Sequence, residues 1–253
     1  LARLGEGVIR SRTLRVFGAT ESGVEAIFRD RMNELTNPTL APYAKEGEVE
    51  LRITAKAGTP EEADTLIAPV EAEVRALLGE LVYGADVSGL PQVVLEAARE
   101  RGLTLGTAES CTGGLIAKRV TDVPGSACAF KGGVVSYHCE VKAGVLGVSQ
   151  ALLDERGAVC AQVAKEMALG AQKALGCDLA VSVTGVAGPD PDERGNPVGL
   201  VFTALAAPDG VWVKELNLAA PGARRDRIRT LAANHALDMA RRWLTGLDPA
   251  GLT

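Results

Sequence analysis

Apolar and polar positions change their spacing along the chain in a way that separates strands from helices. Val8-Ile9-Arg10-Ser11-Arg12-Thr13-Leu14-Arg15-Val16-Phe17 alternates much as a half-buried strand does, within an extended, basic lead-in over residues 1–18. Capping residues follow at Thr20-Glu21-Ser22, and Val24, Ile27, Phe28 and Met32 recur at helical spacing. Asn37-Pro38 ends that helix and residues 39–43 read as a turn. Val49-Glu50-Leu51-Arg52-Ile53-Thr54-Ala55-Lys56-Ala57 alternates strictly, which predicts a strand with one wet face. Thr59-Pro60-Glu61-Glu62 starts a helix with a cap, a proline at the first position and carboxylates in the first turn; it runs to about Leu78 and stops at Gly79. The first 85 residues therefore read as a β-α-β-α unit, with the boundary at Gly84-Ala85-Asp86-Val87-Ser88-Gly89.

The second part opens with a helix over residues 90–101, whose Val93, Val94, Ala97 and Ala98 form a narrow apolar stripe. A strand over 103–109, a turn over 110–114 and a helix over 115–122 follow, then a Pro124-Gly125-Ser126 turn and a β-like run, Gly132-Gly133-Val134-Val135-Ser136-Tyr137. The segment 139–146 carries Lys142, Ser149 caps a helix, and an alanine-rich helix spans about 158–175. Residues 178–184 are a strand of the fully buried type, and Gly185-Val186-Ala187-Gly188-Pro189-Asp190 leads from it into a polar loop. Strands over 199–206 and 211–218 flank Pro208-Asp209-Gly210, which is hairpin chemistry, and a last helix spans 224–244. The pattern predicts an α/β domain over residues 87–253, a three-layer mixed sheet with helices on both faces, preceded by a small α+β domain over residues 1–86.

Composition narrows the function classes. Aromatics make up 4% of the 253 residues, so the cores are aliphatic. Net charge is −5, and residues 1–85 hold 10 Lys/Arg against 14 Asp/Glu, which argues against a nucleic-acid surface. No apolar run reaches transmembrane length and no signal peptide is evident, so a cytoplasmic protein without membrane contact is expected. Five cysteines without a CxxC pair fit a reducing compartment and suggest no metal cluster. The chain starts at Leu1, which reads as a position inside a longer polypeptide.

Chemistry concentrates in Leu105-Gly106-Thr107-Ala108-Glu109-Ser110-Cys111-Thr112-Gly113-Gly114, where a strand turns into a helix and leaves backbone N–H groups facing outward. Ser110 is the first candidate nucleophile; the same residues are also explained by Ser110 and Thr112 capping a helix and the glycines permitting a tight turn. A serine needs a base, and with only His138 and His235 in the chain, Lys142 is the candidate, with Tyr137 beside it. An ordinary surface lysine and a half-buried strand tyrosine are the alternatives. Thr184, Gly185 and Gly188 follow a buried strand, where parallel sheets place ligands. Arg225 and Arg229 stand one turn apart at a helix start, which opposes the helix dipole unless an anion binds, and suits a phosphate monoester; a solvated basic turn offset by Asp226 is the plainer account. His138 is a possible acid or base, and Cys111 is a rival nucleophile unless it is a buried small hydrophobe.

Taken together, Thr107-Ala108-Glu109-Ser110-Cys111-Thr112-Gly113-Gly114, the run from Phe130 to Lys142, Ser182-Val183-Thr184-Gly185-Val186-Ala187-Gly188-Pro189-Asp190, Asn196-Pro197-Val198-Gly199 and the segment from Arg225 to Arg229 resemble the competence/damage-inducible CinA family over about residues 88–245. The lead-in is similar to that family's KH-like middle domain. The resemblance implies an amidohydrolase that converts nicotinamide mononucleotide to nicotinic acid mononucleotide and ammonia in pyridine nucleotide recycling, without a cofactor or metal for that step. It maps catalysis onto Ser110, Tyr137 and Lys142, with Lys142 and Tyr137 handling the proton. It maps substrate contacts onto Glu109, Thr112, Gly113, Gly114, Thr184, Gly185, Gly188, Arg225 and Arg229. Amides of residues 112–114 would hold the oxyanion and Arg225 would face the phosphate. A homodimer, and a preceding domain similar to molybdopterin-binding proteins, are implied as well. The alternative is a non-catalytic nucleotide-binding or regulatory module, favoured by Cys139, which stands where the family commonly has asparagine.

Overall fold

The computed structural model describes residues 7–220, 222 and 224–251. The lead-in before Gly7 and Ala223 of the arginine turn lie outside the described residues. The chain divides into two compact units, Leu1–Gly89 and Leu90–Thr253.

In the first unit the order is β1 (Val8–Phe17), α1 (Glu21–Glu34), β2 (Thr39–Lys45), β3 (Glu48–Ala57), α2 (Pro60–Leu78) and β4 (Val82–Ala85). The four strands form an antiparallel sheet in the order β2-β3-β1-β4, with Leu14 opposite Leu51 and Val16 opposite Val49 in the central pair. Leu14, Val16, Leu40, Leu51 and Ile53 meet Val24 and Phe28 of α1 and Ile67, Val70 and Val74 of α2 in one core. Thr59 and Glu62 complete a capping box at the start of α2.

Two expectations are corrected here. Residues 39–43 are not a turn: they lie in β2, an edge strand in which Pro42 faces Leu51 without a ladder donor being required, while Leu40 enters the core. The unit is accordingly β-α-β-β-α-β rather than β-α-β-α. Nor is the polar side of β3 wet at its start, because Glu48 and Glu50 are buried. Arg15 bridges to Glu50 at 2.8 Å and to Glu48 at 3.8 Å, and the Tyr83 hydroxyl donates to Glu48.

The second unit runs α3 (Leu90–Glu100), β5 (Leu105–Glu109), α4 (Leu115–Thr121), β6 (Phe130–Val135), α5 (Cys139–Leu146), α6 (Gln150–Arg156), α7 (Ala161–Leu175), β7 (Leu179–Gly185), β8 (Leu200–Ala207), β9 (Gly210–Asn217) and α8 (Arg225–Leu244). Its sheet has the order β6-β5-β7-β8-β9. β6, β5 and β7 are parallel, while β8 and β9 run antiparallel to their neighbours, joined by the expected hairpin.

Alternation along the strands distributes the layers. Ala108, Ala180, Phe202, Ala204 and Ala206 pack towards α5, α6 and α7. Neighbouring positions face the other way: the Thr203 hydroxyl meets Met239 of α8, and the Glu109 carboxylate meets the start of α4. Helices thus cover both faces. The buried face of α3 is Leu90, Val94, Leu95 and Ala98, with the expected Val93 and Ala97 only half-buried. No helix among the described residues is long and apolar enough to cross a membrane.

Candidate active site

Ser110 directly follows β5, at the carboxyl end of the parallel strands. Its N–H donates to the Val183 carbonyl at 2.9 Å, which continues the β5–β7 ladder by one residue. The chain then turns: the Gly113 N–H donates back to the Ser110 carbonyl at 3.0 Å, and Gly113 and Gly114 adopt φ of 60° and 91°. Side chains rarely tolerate that left-handed backbone, so two glycines are needed where the strand becomes α4.

Lys142 comes from α5 and is fully buried. Its Nζ donates to Ser110 Oγ at 2.9 Å and to the Ser136 carbonyl at 2.6 Å, with the Tyr137 carbonyl at 3.4 Å. Burial holds its pKa below the ordinary lysine value of 10.5, against a smaller opposing pull from Cys139 and Cys111. In the neutral amine, two N–H bonds satisfy the two carbonyls and the remaining tetrahedral position, the lone pair, faces Ser110. That is the geometry a general base requires.

Cys111, next to Ser110, is buried, and burial pushes its thiol up to about 11. At neutral pH it stays a protonated thiol, a poor rival to Ser110. His138 is exposed, with Nδ1 3.7 Å from Glu140.

Several residues are placed differently from expectation. Glu109 is 1% exposed and its two oxygens accept the Ile116 and Ala117 amides at 3.0 and 2.8 Å, so it caps α4 instead of meeting a substrate. The Gly113 amide is committed to Ser110 and the Thr112 carbonyl to Arg229, whose Nη2 donates to it at 2.6 Å. Tyr137 is exposed, and its hydroxyl accepts from Arg225 Nη2 at 2.9 Å, so only its main-chain carbonyl attends Lys142. The Thr184 hydroxyl is spent on the Ala158 carbonyl at 2.6 Å. At Gly185 an added Cβ would meet the Leu200 carbonyl oxygen at 2.6 Å, and at Gly188 the Val198 side chain at 2.9 Å. Both glycines are required by the close approach of their own chain.

A cavity of about 620 Å³ opens beside Ser110, with Tyr137, Thr184, Gly185, Gly188 and Arg225 on its wall. Arg225 closes one side by donating Nη1 to the Gly188 carbonyl as well as Nη2 to Tyr137. Lys142 is not on that wall, nor are Glu109, Thr112, Gly113, Gly114 and Arg229. Three contributors carry no clear signal in the sequence. Ser136 acts through its carbonyl, which any residue supplies. Asp192 and Glu193 line the cavity from a stretch that reads as an ordinary polar loop.

A mixed-sheet α/β domain that seats a serine hydroxyl on a buried lysine, following a small α+β unit, is the class that fold and site define. Residues 88–244 match the family model described as the CinA C-terminal domain, and residues 11–84 match that of the damage-inducible protein CinA KH domain. The chain belongs to the CinA family. It is 46% identical over 246 residues to a putative competence-damage inducible protein of Caldanaerobacter subterraneus subsp. tengcongensis, covering 97% of this chain and 58% of that protein. It is 44% identical over 247 residues to a CinA-like protein of Desulfovibrio desulfuricans, covering 98% and 58%. The chain thus spans under three-fifths of the length of these relatives. Among solved structures, competence/damage inducible protein CihA of Agrobacterium tumefaciens superposes with a TM-score of 0.58 at 38% identity, over 62% of this chain and 93% of that one. A CinA superfamily protein of Klebsiella pneumoniae gives 0.59 at 29% identity, over 62% and 96%.

Proposed function

We propose that the second unit is an amidohydrolase that converts nicotinamide mononucleotide to nicotinic acid mononucleotide and ammonia. The observation that supports this most is the 2.9 Å contact between Ser110 Oγ and a fully buried lysine whose other donors end on main-chain carbonyls. Ser110 Oγ attacks the carboxamide carbon while Lys142 takes the hydroxyl proton. The tetrahedral intermediate collapses, the C–N bond breaks, and Lys142 returns the proton to the departing nitrogen, which leaves as ammonia. Water then attacks the acyl-serine ester with Lys142 again as base, releasing the carboxylate and regenerating Ser110.

The Ser110 and Gly113 amides are already engaged, and of residues 111–114 the cavity wall includes Cys111, so the Cys111 amide is our candidate for the oxyanion. Arg225 lines the cavity wall and is our candidate for the phosphate partner. Tyr137 shapes the cavity mouth through its bond to Arg225 and takes no part in proton transfer. An ammonia-release assay with nicotinamide mononucleotide and no added metal tests the reading. Ser110→Ala is expected to lose activity by about 10³-fold or more with the fold intact; unchanged turnover in that variant would refute it.

A further inference from the structure

The first two turns of α8 place Arg225, Arg227 and Arg229 where the helix dipole disfavours cations. Arg225 has an evident task at the cavity wall, whereas Arg229 does not touch the cavity. Its Nη2 reaches the Thr112 carbonyl at 2.6 Å, and a Cβ built on Gly113 would lie 3.3 Å from that same nitrogen, so the guanidinium lies against the turn that follows the nucleophile. Among the described residues, the buried Arg229 Nε has no hydrogen-bond partner, nor has the Thr112 hydroxyl. Reaching the carbonyl takes precedence over satisfying the rest of the side chain.

The carbonyl matters because of what is joined to it. Thr112 C=O and Gly113 N–H belong to one planar peptide group and point in opposite directions. One end is held by Arg229, and the other donates to the Ser110 carbonyl at 3.0 Å. The next two residues are Gly113 and Gly114, both with positive φ, so nothing in their own side chains prevents this peptide from flipping. A flip would release the Ser110 carbonyl, and with it the backbone setting that aims Oγ at Lys142.

We propose that Arg229 is a positioning residue for the nucleophile: it locks the Thr112–Gly113 peptide and so keeps Ser110 Oγ aligned with Lys142. This rests on Ser110 being the nucleophile and not on the identity of the amide. Two arginines four positions apart on one helix then divide the labour. Arg225 holds the cavity wall and Arg229 holds the turn.

The experiment is the rate at which a serine-directed fluorophosphonate labels Ser110, followed by mass spectrometry in the whole chain, which needs no knowledge of the substrate. Arg229→Gln is expected to label on the order of 10²-fold more slowly than the unaltered chain. Arg229→Lys keeps one donor and is expected to fall between the two. Arg227→Gln, which removes a neighbouring charge, is expected to label at the unaltered rate. In the ammonia assay, Arg229→Gln should lower kcat while Arg225→Gln should chiefly raise KM. If Arg229→Gln melts at lower temperature yet the folded fraction labels at the unaltered rate, Arg229 is only structural and the proposal is overturned. Should Arg229→Gln fail to fold, Arg229→Lys decides in the same way. Absence of labelling in the unaltered chain would remove the nucleophile and the proposal together, whereas normal labelling without ammonia release would remove only the assigned substrate.

Discussion

Lys142, the proposed base, is difficult to charge. A buried amine facing two carbonyls and a hydroxyl carries little solvent to stabilise a proton, so it titrates below 10.5 and is available as a base at lower pH. The kcat/KM for ammonia release is therefore expected to rise with pH on a limb whose apparent pKa lies below 10.5, and to be lost in Lys142→Arg, whose guanidinium stays protonated. A flat profile, or an active Lys142→Arg, would rule out the lysine as base. Cys111→Ala is expected to keep most of the activity, since a thiol held up to about 11 contributes no nucleophile. At this scale the sequence offered Ser110 and Lys142 alongside a helix cap and an ordinary surface lysine, and the structure brings the two side chains to 2.9 Å. It set Tyr137 beside Lys142 as a helper and Glu109 at the substrate, whereas the structure turns the tyrosine hydroxyl to Arg225 and the carboxylate to two amides of α4. Whether a carboxylate meets a ligand or two amides of the next helix depends on which face of β5 it occupies, and that emerges only when α4 has packed.

Among the elements, the close crossing of α5 and α7 sets the base. A Cβ on Gly170 of α7 would lie 1.9 Å from the Leu146 carbonyl oxygen at the end of α5, and backbone cannot yield as a flexible side chain does. Gly170→Ala is expected to cost about 2 kcal/mol. Because α5 carries Lys142, it should also slow Ser110 labelling; a melting curve and labelling rate equal to the parent's would show that the crossing is dispensable. The alanines of α7, Ala164 and Ala168, likewise let it lie close over Phe202, Ala204 and Ala206. Most of these elements were readable from periodicity. β2 was not, since Pro38 and Pro42 look like turn punctuation, and only an edge position in a sheet makes a proline acceptable in a strand.

For the chain as a whole, sensitivity to acid should come in part from His235 of the second unit. Burial, with help from Lys214, lowers His235 to about 4. Between 6.5 and about 4 the unfolded chain binds a proton that the folded one resists, so stability falls as pH drops through that range, by up to about 3 kcal/mol from this group alone. Thermal melts from pH 7 to 4 should show the decline, and His235→Gln should flatten it; an unchanged slope would assign the effect elsewhere. The architecture at this scale was legible because buried and alternating strands, a hairpin and interspersed helices leave few arrangements open. The second unit's buried charge cluster was not. Asp238, Arg241 and Arg242 read as the solvated side of a helix, yet α8 is buried on nearly every side over its second half.

The two acceptors that orient Lys142 are main-chain carbonyls, those of Ser136 and Tyr137. An orienting group made of backbone is present whatever side chain occupies the position, so no single substitution deletes it. Drift from the end of β6 into the first residue of α5, at Tyr137 and Cys139 on the cavity wall, can therefore retune what the cavity accepts while the proposed proton-transfer apparatus is inherited intact. On the proposed mechanism, the part of the site that moves the proton and the part that selects the substrate are separately mutable within one short stretch of chain.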